Sequence, residues 1–293
     1  MPNFKETTKI ISMLENGDLQ TRYNLLRKIY SSDSENCAKV IGFTGPPGAG
    51  KSTIIEKLSR WVVEKFGETV IFAVDPSSHF SGGAILGDRI RFFQETGVYF
   101  RSFATRRTYG GLSSVIRDAI RVCEMFNFKT IFVETAGVGQ NEIDVRNISD
   151  YVVVVLTPLS GDAMQALKAG LLEIGDCVVV NKADEGPVEY FMRDLELSLK
   201  ISNKKNTNVL KTSAVTGEGL KELATYIETI LRSEKPKIRA NSVQARVKTF
   251  FLELINKEVE GLDSTGGNFD EILRDLVEQF GSRVSNSIKR LLG

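Results

Sequence analysis

The sequence predicts an α/β fold, a doubly wound and mainly parallel sheet with helical extensions at the N-terminal and C-terminal ends. Three observations predict it. Strand-like and helical runs alternate from residue 38 to about 232. Two of the strand-like runs, 151–156 (YVVVVL) and 177–180 (CVVV), are apolar throughout, as strands buried on both faces of a parallel sheet are. A glycine-rich stretch, Gly45-Pro46-Pro47-Gly48-Ala49-Gly50-Lys51-Ser52-Thr53, separates a strand-like run from a helical one.

Taken in order, residues 1–36 carry two helical apolar sets: Ile10, Ile11, Leu14 and Leu19, then Tyr23, Leu25, Leu26 and Ile29. The polar stretch from Ser31 to Glu35 ends that pattern. A strand is predicted over 39–44, with Val40, Ile41 and Phe43 as its apolar content. A helix over 50–65 places Ile54, Ile55, Leu58 and Val62 on one side. Further strands are expected at 69–74 (TVIFAV), 98–103, 129–134 (KTIFVE) and 207–211, and further helices at 111–126, 161–173, 187–201 and 217–232. Beyond Pro236 two long amphipathic helices are predicted, 240–260 and 268–291, with Asn268 and Glu271 forming a capping-box start for the second. The chain thus divides into an N-terminal helical extension (1–36), an α/β domain (37–235) and a C-terminal helical arm (236–293). An apolar stripe is buried equally well by the arm's own domain or by a second subunit, so spacing alone leaves both open.

Composition excludes several classes. The 293 residues carry a net charge of +1, which gives no basic footprint for nucleic acid. The three cysteines, Cys37, Cys123 and Cys177, are widely separated, with no disulfide framework or thiolate metal pattern. Cys123 and Cys177 fall in helical and strand patterns and are expected in the core. The first residues lack the apolar core of a signal peptide, and no apolar run approaches the roughly 20 residues of a membrane span. The expected location is a reducing cytoplasm.

The stretch from Gly45 to Ser52 fits G-x-x-x-x-G-K-[ST] in its required strand–loop–helix setting. Its glycines let backbone N–H groups wrap phosphates, Lys51 brings positive charge to the β and γ oxygens, and the Ser52 hydroxyl suits magnesium. Acidic partners for such a metal stand at two strand ends: Asp75 after IFAV and Glu134 after TIFV. Asp88, in Gly87-Asp88-Arg89, is a third candidate. A magnesium role, direct or through water, competes at each with a capping or structural one. Gly137, in Glu134-Thr-Ala-Gly137-Val-Gly139-Gln140, can let the backbone approach a γ-phosphate, and that loop can move when the phosphate leaves. Asn181-Lys182-Ala183-Asp184 follows the strand CVVV in the N-K-x-D pattern. The Asp184 carboxylate can accept from the N1 and N2 groups of guanine, a donor pair adenine lacks. Lys182 can lie along the base, and Asn181 can tie this loop to the phosphate loop. Ser213-Ala214-Val215 matches a further loop that backs the guanine. The nucleotide expected is therefore GTP or GDP with Mg2+. The single histidine, His79, reads as a loop residue near the nucleotide or a plain surface residue.

These residues together resemble the MeaB/ArgK family of P-loop GTPases of the SIMIBI class, whose metazoan member is the methylmalonic aciduria type A protein. The resemblance rests on GPPGAGKST (45–53), AVDPSS (73–78), SGGAILGDRIR (81–91), VETAGVGQNEID (133–144) and GDAMQALKAGLLEIGD (161–176) before NKAD (181–184). It implies a homodimer that couples GTP hydrolysis to loading and protecting an adenosylcobalamin-dependent acyl-CoA mutase, typically methylmalonyl-CoA mutase. It implies that Lys51, Ser52, Asp75, Asp88 and Glu134 handle phosphate, magnesium and hydrolysis. It also implies mobile switches at 81–91, 137–145 and 160–168, with Lys168 in the third.

The sequence departs from the family pattern at His79-Phe80, Ala136, Asn141 and the Arg106–Gly111 loop, none of which removes a phosphate or guanine contact. No glutamine stands where Ras-like enzymes orient water, and Gln140 lies three residues past Gly137. Slow intrinsic hydrolysis, accelerated by a partner, follows. Two other readings compete: a GTPase for nickel insertion, which would display His and Cys ligands, and a P-loop small-molecule kinase, for which N-K-x-D is unexpected.

Overall fold

The computed structural model describes residues 3–31, 37–75, 97–104, 112–135, 141–158, 170–186, 188–201, 204, 207–233 and 286. Seven strands are described: β1 (Lys39–Thr44), β2 (Thr69–Asp75), β3 (Val98–Ala104), β4 (Thr130–Glu134), β5 (Tyr151–Leu156), β6 (Cys177–Val180) and β7 (Asn208–Lys211). They form one sheet in the order β3-β2-β4-β1-β5-β6-β7, and every neighbouring pair is parallel. The described helices are α1 (Phe4–Asn16), α2 (Leu19–Ser31), α3 (Lys51–Phe66), α4 (Leu112–Met125), α5 (Asn141–Ile148), α6 (Leu171–Ile174), α7 (Val188–Ile201) and α8 (Leu220–Arg232).

The strands are apolar on both sides because both sides are covered. Ile41, Phe43, Ile71, Phe132, Val153, Val155 and Val179 pack with Ile54, Ile55, Leu58 and Val62 of α3 and Leu223 and Ile227 of α8. The alternate residues, Val40, Phe72, Ile131, Val133, Val152, Val154 and Val178, pack with Ile11 and Leu14 of α1, Ile116 of α4, Val145 of α5 and Leu195 of α7. The period of two along each strand thus feeds two separate cores. Burial of each such valine or isoleucine contributes roughly 1.5–3 kcal/mol. Cys123 and Cys177 belong to these cores, and burial pushes the Cys177 thiol up to about 12 and raises that of Cys123 as well. Both stay protonated at neutral pH, which removes the thiolate form that binds metals or attacks.

At the amino end of the sheet, carboxylates accept from N–H groups at and just before the starts of the central strands. Asp150, just before β5, accepts from Val40 N of β1 at 2.8 Å, and Asp176, just before β6, accepts from Val152 N of β5 at 2.9 Å. Glu124 at the end of α4 accepts from Ala38 N at 3.1 Å. Arg146 pairs with Asp176. These bonds fix strand register at the end opposite the phosphate loop.

The N-terminal extension docks on the edge of the sheet. Phe4 meets Tyr99 and Phe128, with ring centroids 5.7 Å apart in each pair, and Glu15 pairs with Arg101 of β3.

Two expectations need correction. The single helix predicted over 161–173 does not run through its last residues: Gly170 has φ of +70°, and a separate one-turn helix, α6, starts after it. A left-handed residue cannot lie inside a continuous right-handed helix, and glycine takes that conformation without steric cost. Helix α5 is absent from the elements the sequence pattern predicts. Its eight residues bury Val145 fully and Ile148 largely, too short a pattern for a helical period to stand out. Residues 159–169, the arm helices 240–260 and 268–291 apart from Asn286, and the boundary at 236 lie outside the described residues. Among the described residues no helix is long and apolar enough to cross a membrane.

Candidate nucleotide site

The strand order places the site. The chain leaves the central strand β1 toward β2 and β3 on one side, returns through β4 beside β1, and continues through β5 on the other. The crevice at the carboxyl end of β1, between β4 and β5, is where open α/β sheets bind ligands. The glycine-rich loop begins there, directly after Thr44. It runs tightly over β5: a Cβ on Gly45 would sit 2.0 Å from the Val155 carbonyl oxygen. The loop ends at Gly50, whose φ of +88° is the left-handed turn that launches α3. No side chain caps the start of α3, so its first N–H groups are left to the loop and to what the loop holds.

Lys51 is only 5% exposed, and its ammonium donates to the carbonyls of Gly45 at 2.7 Å and Pro46 at 2.8 Å. The cation is therefore held against its own loop. The Ser52 hydroxyl donates to a carboxylate oxygen of Glu134, which is buried at the end of β4. Two residues assigned to one metal site from separate stretches of sequence thus touch. The backbone of Asp75 ends β2 at the same end of the sheet, two residues beyond Ala73, which is opposite Glu134. Behind them Thr135 donates from N to the Phe43 carbonyl at 3.0 Å and from its hydroxyl to Thr44 Oγ1 at 3.1 Å.

The second loop is joined to the first by one side chain. Asn181 is 1% exposed. Its Nδ2 donates to the Ala49 carbonyl at 2.8 Å, while its Oδ1 accepts from Ala214 N at 3.0 Å and from Thr212 Oγ1 at 3.2 Å. A side-chain amide offers separate donor and acceptor atoms in one rigid plane, so asparagine at 181 holds three segments together. Its fit is close: a Cβ on Gly50 would approach Asn181 Nδ2 to 2.3 Å. Lys182 is held at φ +60°, unusual for a residue with a side chain, while Ala183 N donates to the Thr212 carbonyl at 3.1 Å. Such backbone strain clusters at ligand sites. Asp184 follows with an exposed carboxylate. Ser213 is buried, with its N–H on the Glu218 carbonyl at 2.9 Å, and Val215 is 77% exposed beside it.

The structure therefore brings Gly45, Pro46, Pro47, Gly48, Ala49, Gly50, Lys51, Ser52 and Thr53 together with Glu134, Asn181, Lys182, Asp184, Ser213, Ala214 and Val215 at one end of the sheet. Asp88, Gly137, His79 and Lys168 lie outside the described residues, as do 81–91, 137–140 and 160–168; residues 141–145 form the start of α5. Sequence reading misses Thr135 and Thr212. Thr135 lies within the Glu134–Gln140 stretch and Thr212 directly before Ser213, but the burial and bonding of their hydroxyls have no sequence signal.

The class defined by this fold and these loops is the P-loop NTPase. The chain belongs to the MeaB family: the family described as methylmalonyl Co-A mutase-associated GTPase MeaB matches residues 7–266. An inferred GTPase of Pyrococcus abyssi is 38% identical over 284 residues, covering 92% of this chain and 86% of its own. The methylmalonic aciduria type A homolog, mitochondrial, of Mus musculus is 36% identical over 193 residues, 62% of this chain and 46% of its own. Among solved structures, one described as LAO/AO transport system kinase superposes with TM-score 0.59 at 22% identity, covering 94% of this chain and 92% of that one. HypB from Helicobacter pylori, in complex with nickel, superposes with TM-score 0.53 at 16% identity, covering 80% and 99%. At these identities the two structures show the fold alone.

Proposed function

We propose that the chain binds GTP with magnesium, hydrolyses it slowly by itself, and uses that cycle to assist cofactor loading and protection of an adenosylcobalamin-dependent acyl-CoA mutase. The observation that carries the reading is the bond from Asn181 to the Ala49 carbonyl, which seats a guanine-selective loop on a phosphate-binding one. Membership of a family described as mutase-associated supports the partner.

Phosphoryl transfer needs positioning and charge neutralisation more than a covalent nucleophile. The loop amides and the Lys51 ammonium neutralise charge that develops on the β and γ oxygens. Ser52 and Glu134 offer hard oxygen donors side by side, a set that fits a divalent ion bound with nucleotide. Ser52, Asp75, Asp88 and Glu134 would hold it, directly or through water, and when bound it supplies further positive charge at the phosphates. Gly137 lets the backbone approach the γ-phosphate. Asp184 selects guanine by accepting from its two N–H donors, with Lys182 along the base and Ser213, Ala214 and Val215 behind it. The segments 81–91, 137–145 and 160–168 switch with the state of that phosphate, and the arm 236–293 pairs two subunits. The protein works in the cytoplasm.

A pull-down from native extract, with and without a non-hydrolysable GTP analogue, tests the partner. Recovery of a mutase subunit that depends on the analogue is expected. Recovery of a hydrogenase or urease precursor instead overturns the reading, as does transfer of labelled phosphate from GTP to a small acceptor.

A further inference from the structure

Helices α3 and α8 lie side by side on one face of the sheet and leave a groove of about 320 Å³ between them. None of its lining residues is assigned to the nucleotide site, and the proposed reaction does not use it. Its apolar floor includes Leu58 and the half-buried Trp61, and its rim carries Lys57, Lys65 and Lys221. The one acidic residue of the lining among the described residues, Glu228, is neutralised from both sides: Lys65 pairs with it at 2.8 Å and Arg232 at 2.9 Å, and these cations hold its carboxyl below the usual range. Lys65 also sits 4.7 Å from the Trp61 ring centroid. Lys57 and Lys221 are exposed on opposite helices, and neither forms an ion pair among the described residues. The groove is therefore an apolar slot between two cationic rims, with an indole in its floor.

We propose that this groove docks an acidic peptide segment of a partner protein, one that places an aromatic or aliphatic side chain against Trp61 and carboxylates against Lys57 and Lys221. Charge complementarity decides the occupant. A basic or neutral amphipathic segment would leave the two rims facing like charge or nothing, whereas alternating carboxylates and apolar side chains match both parts of the slot. Central aromatic anchors within a charged rim are the usual energetic core of such contacts. Both helices leave the nucleotide loops, α3 from the glycine-rich loop and α8 from the loop that starts at Ser213, so a docked segment bears on the elements that carry those loops.

Trp61 is the one tryptophan in the chain, so its fluorescence reports the groove alone. The probe is a synthetic peptide alternating glutamate with leucine and phenylalanine; the control replaces every glutamate by lysine. The full chain is titrated with each. The acidic peptide is expected to shift Trp61 emission saturably, more weakly as salt rises, and the lysine peptide is not. Lys57→Glu with Lys221→Glu should weaken binding at least tenfold while GTP binding and hydrolysis stay unchanged. Equal response to both peptides, or unchanged affinity in the double variant, overturns the proposal. So does a response to anionic vesicles or RNA that matches the acidic peptide. Cross-linking of the chain's own acidic stretch 268–280 into the groove also overturns it, since the occupant is then not a partner. The peptide-binding readouts do not depend on whether GTP is the nucleotide, so their failure is distinguishable from failure of the proposed function.

Discussion

Replacing Asn181 by alanine removes three hydrogen bonds with one change. The Ala49 carbonyl loses its donor, and Ala214 N–H and the Thr212 hydroxyl lose their acceptor. Each buried polar group left unpaired costs about 1–3 kcal/mol. Water entering the space recovers part of that, so a net loss of about 3 kcal/mol is expected, shared between the fold and the nucleotide complex. The assay pairs urea denaturation of the free protein with calorimetry of GTP binding. Asn181→Ala should unfold at clearly lower urea and bind GTP at least tenfold more weakly, the tenfold corresponding to about 1.4 kcal/mol. A second substitution isolates the contact. Gly50→Ala places a Cβ 2.3 Å from Asn181 Nδ2, and it also strains a backbone at φ +88°. Deleting the Asn181 side chain relieves the clash but not the strain, so Gly50→Ala should cost less in the Asn181→Ala background than in the native one. If Asn181→Ala unfolds and binds GTP as the native chain does, or if the two changes are strictly additive, the asparagine does not join the loops energetically.

Ser52→Ala and Glu134→Gln should each slow hydrolysis by on the order of 100-fold, the loss expected when metal-assisted charge stabilisation is weakened; single-turnover rates that match the native protein would remove both from the metal site. Asp184→Asn should move preference from GTP toward XTP by at least about 100-fold, because an amide can donate to the carbonyl that replaces the guanine amino group; competition binding reads this directly, and unchanged GTP preference counts against a base-reading Asp184. Burial pushes the Asp150 carboxyl up to about 6 from its ordinary 3.8, against the Val40 N–H and the charges of Lys39 and Arg146. A raised folded value means that its contribution is full below 3.8 and is lost as pH climbs through about 6, by about 3 kcal/mol at most. The amide introduced by Asp150→Asn is uncharged at any pH yet can still accept from Val40 N, so this variant should flatten the fall in melting temperature between about pH 4 and 8; parallel profiles would show that Asp150 does not titrate there.

The sheet is legible in the sequence because its physics is local. Runs such as Val152–Leu156 have no polar face to turn outward, which is the signature of burial on both sides, and the strand ends at Asp75 and Glu134 are readable from where the apolar run stops. The contact between Ser52 and Glu134 is legible only as shared chemistry; that they touch depends on β4 lying beside β1, which tertiary pairing decides. The left-handed Gly170 before α6 is hidden because the residues on either side of it keep a helical apolar pattern in the sequence. Thr212 and Thr135 are invisible as functional residues because a hydroxyl's worth depends on what is packed against it. The groove between α3 and α8 has no sequence signature at all, since Lys57 and Lys221 come from helices far apart in the chain.

The most direct test of the account is calorimetric titration of the magnesium-supplemented protein with GTP and with ATP. The joined loops predict saturable GTP binding at least about 100-fold tighter than ATP. Equal affinity for the two nucleotides, or no binding of either, would contradict it.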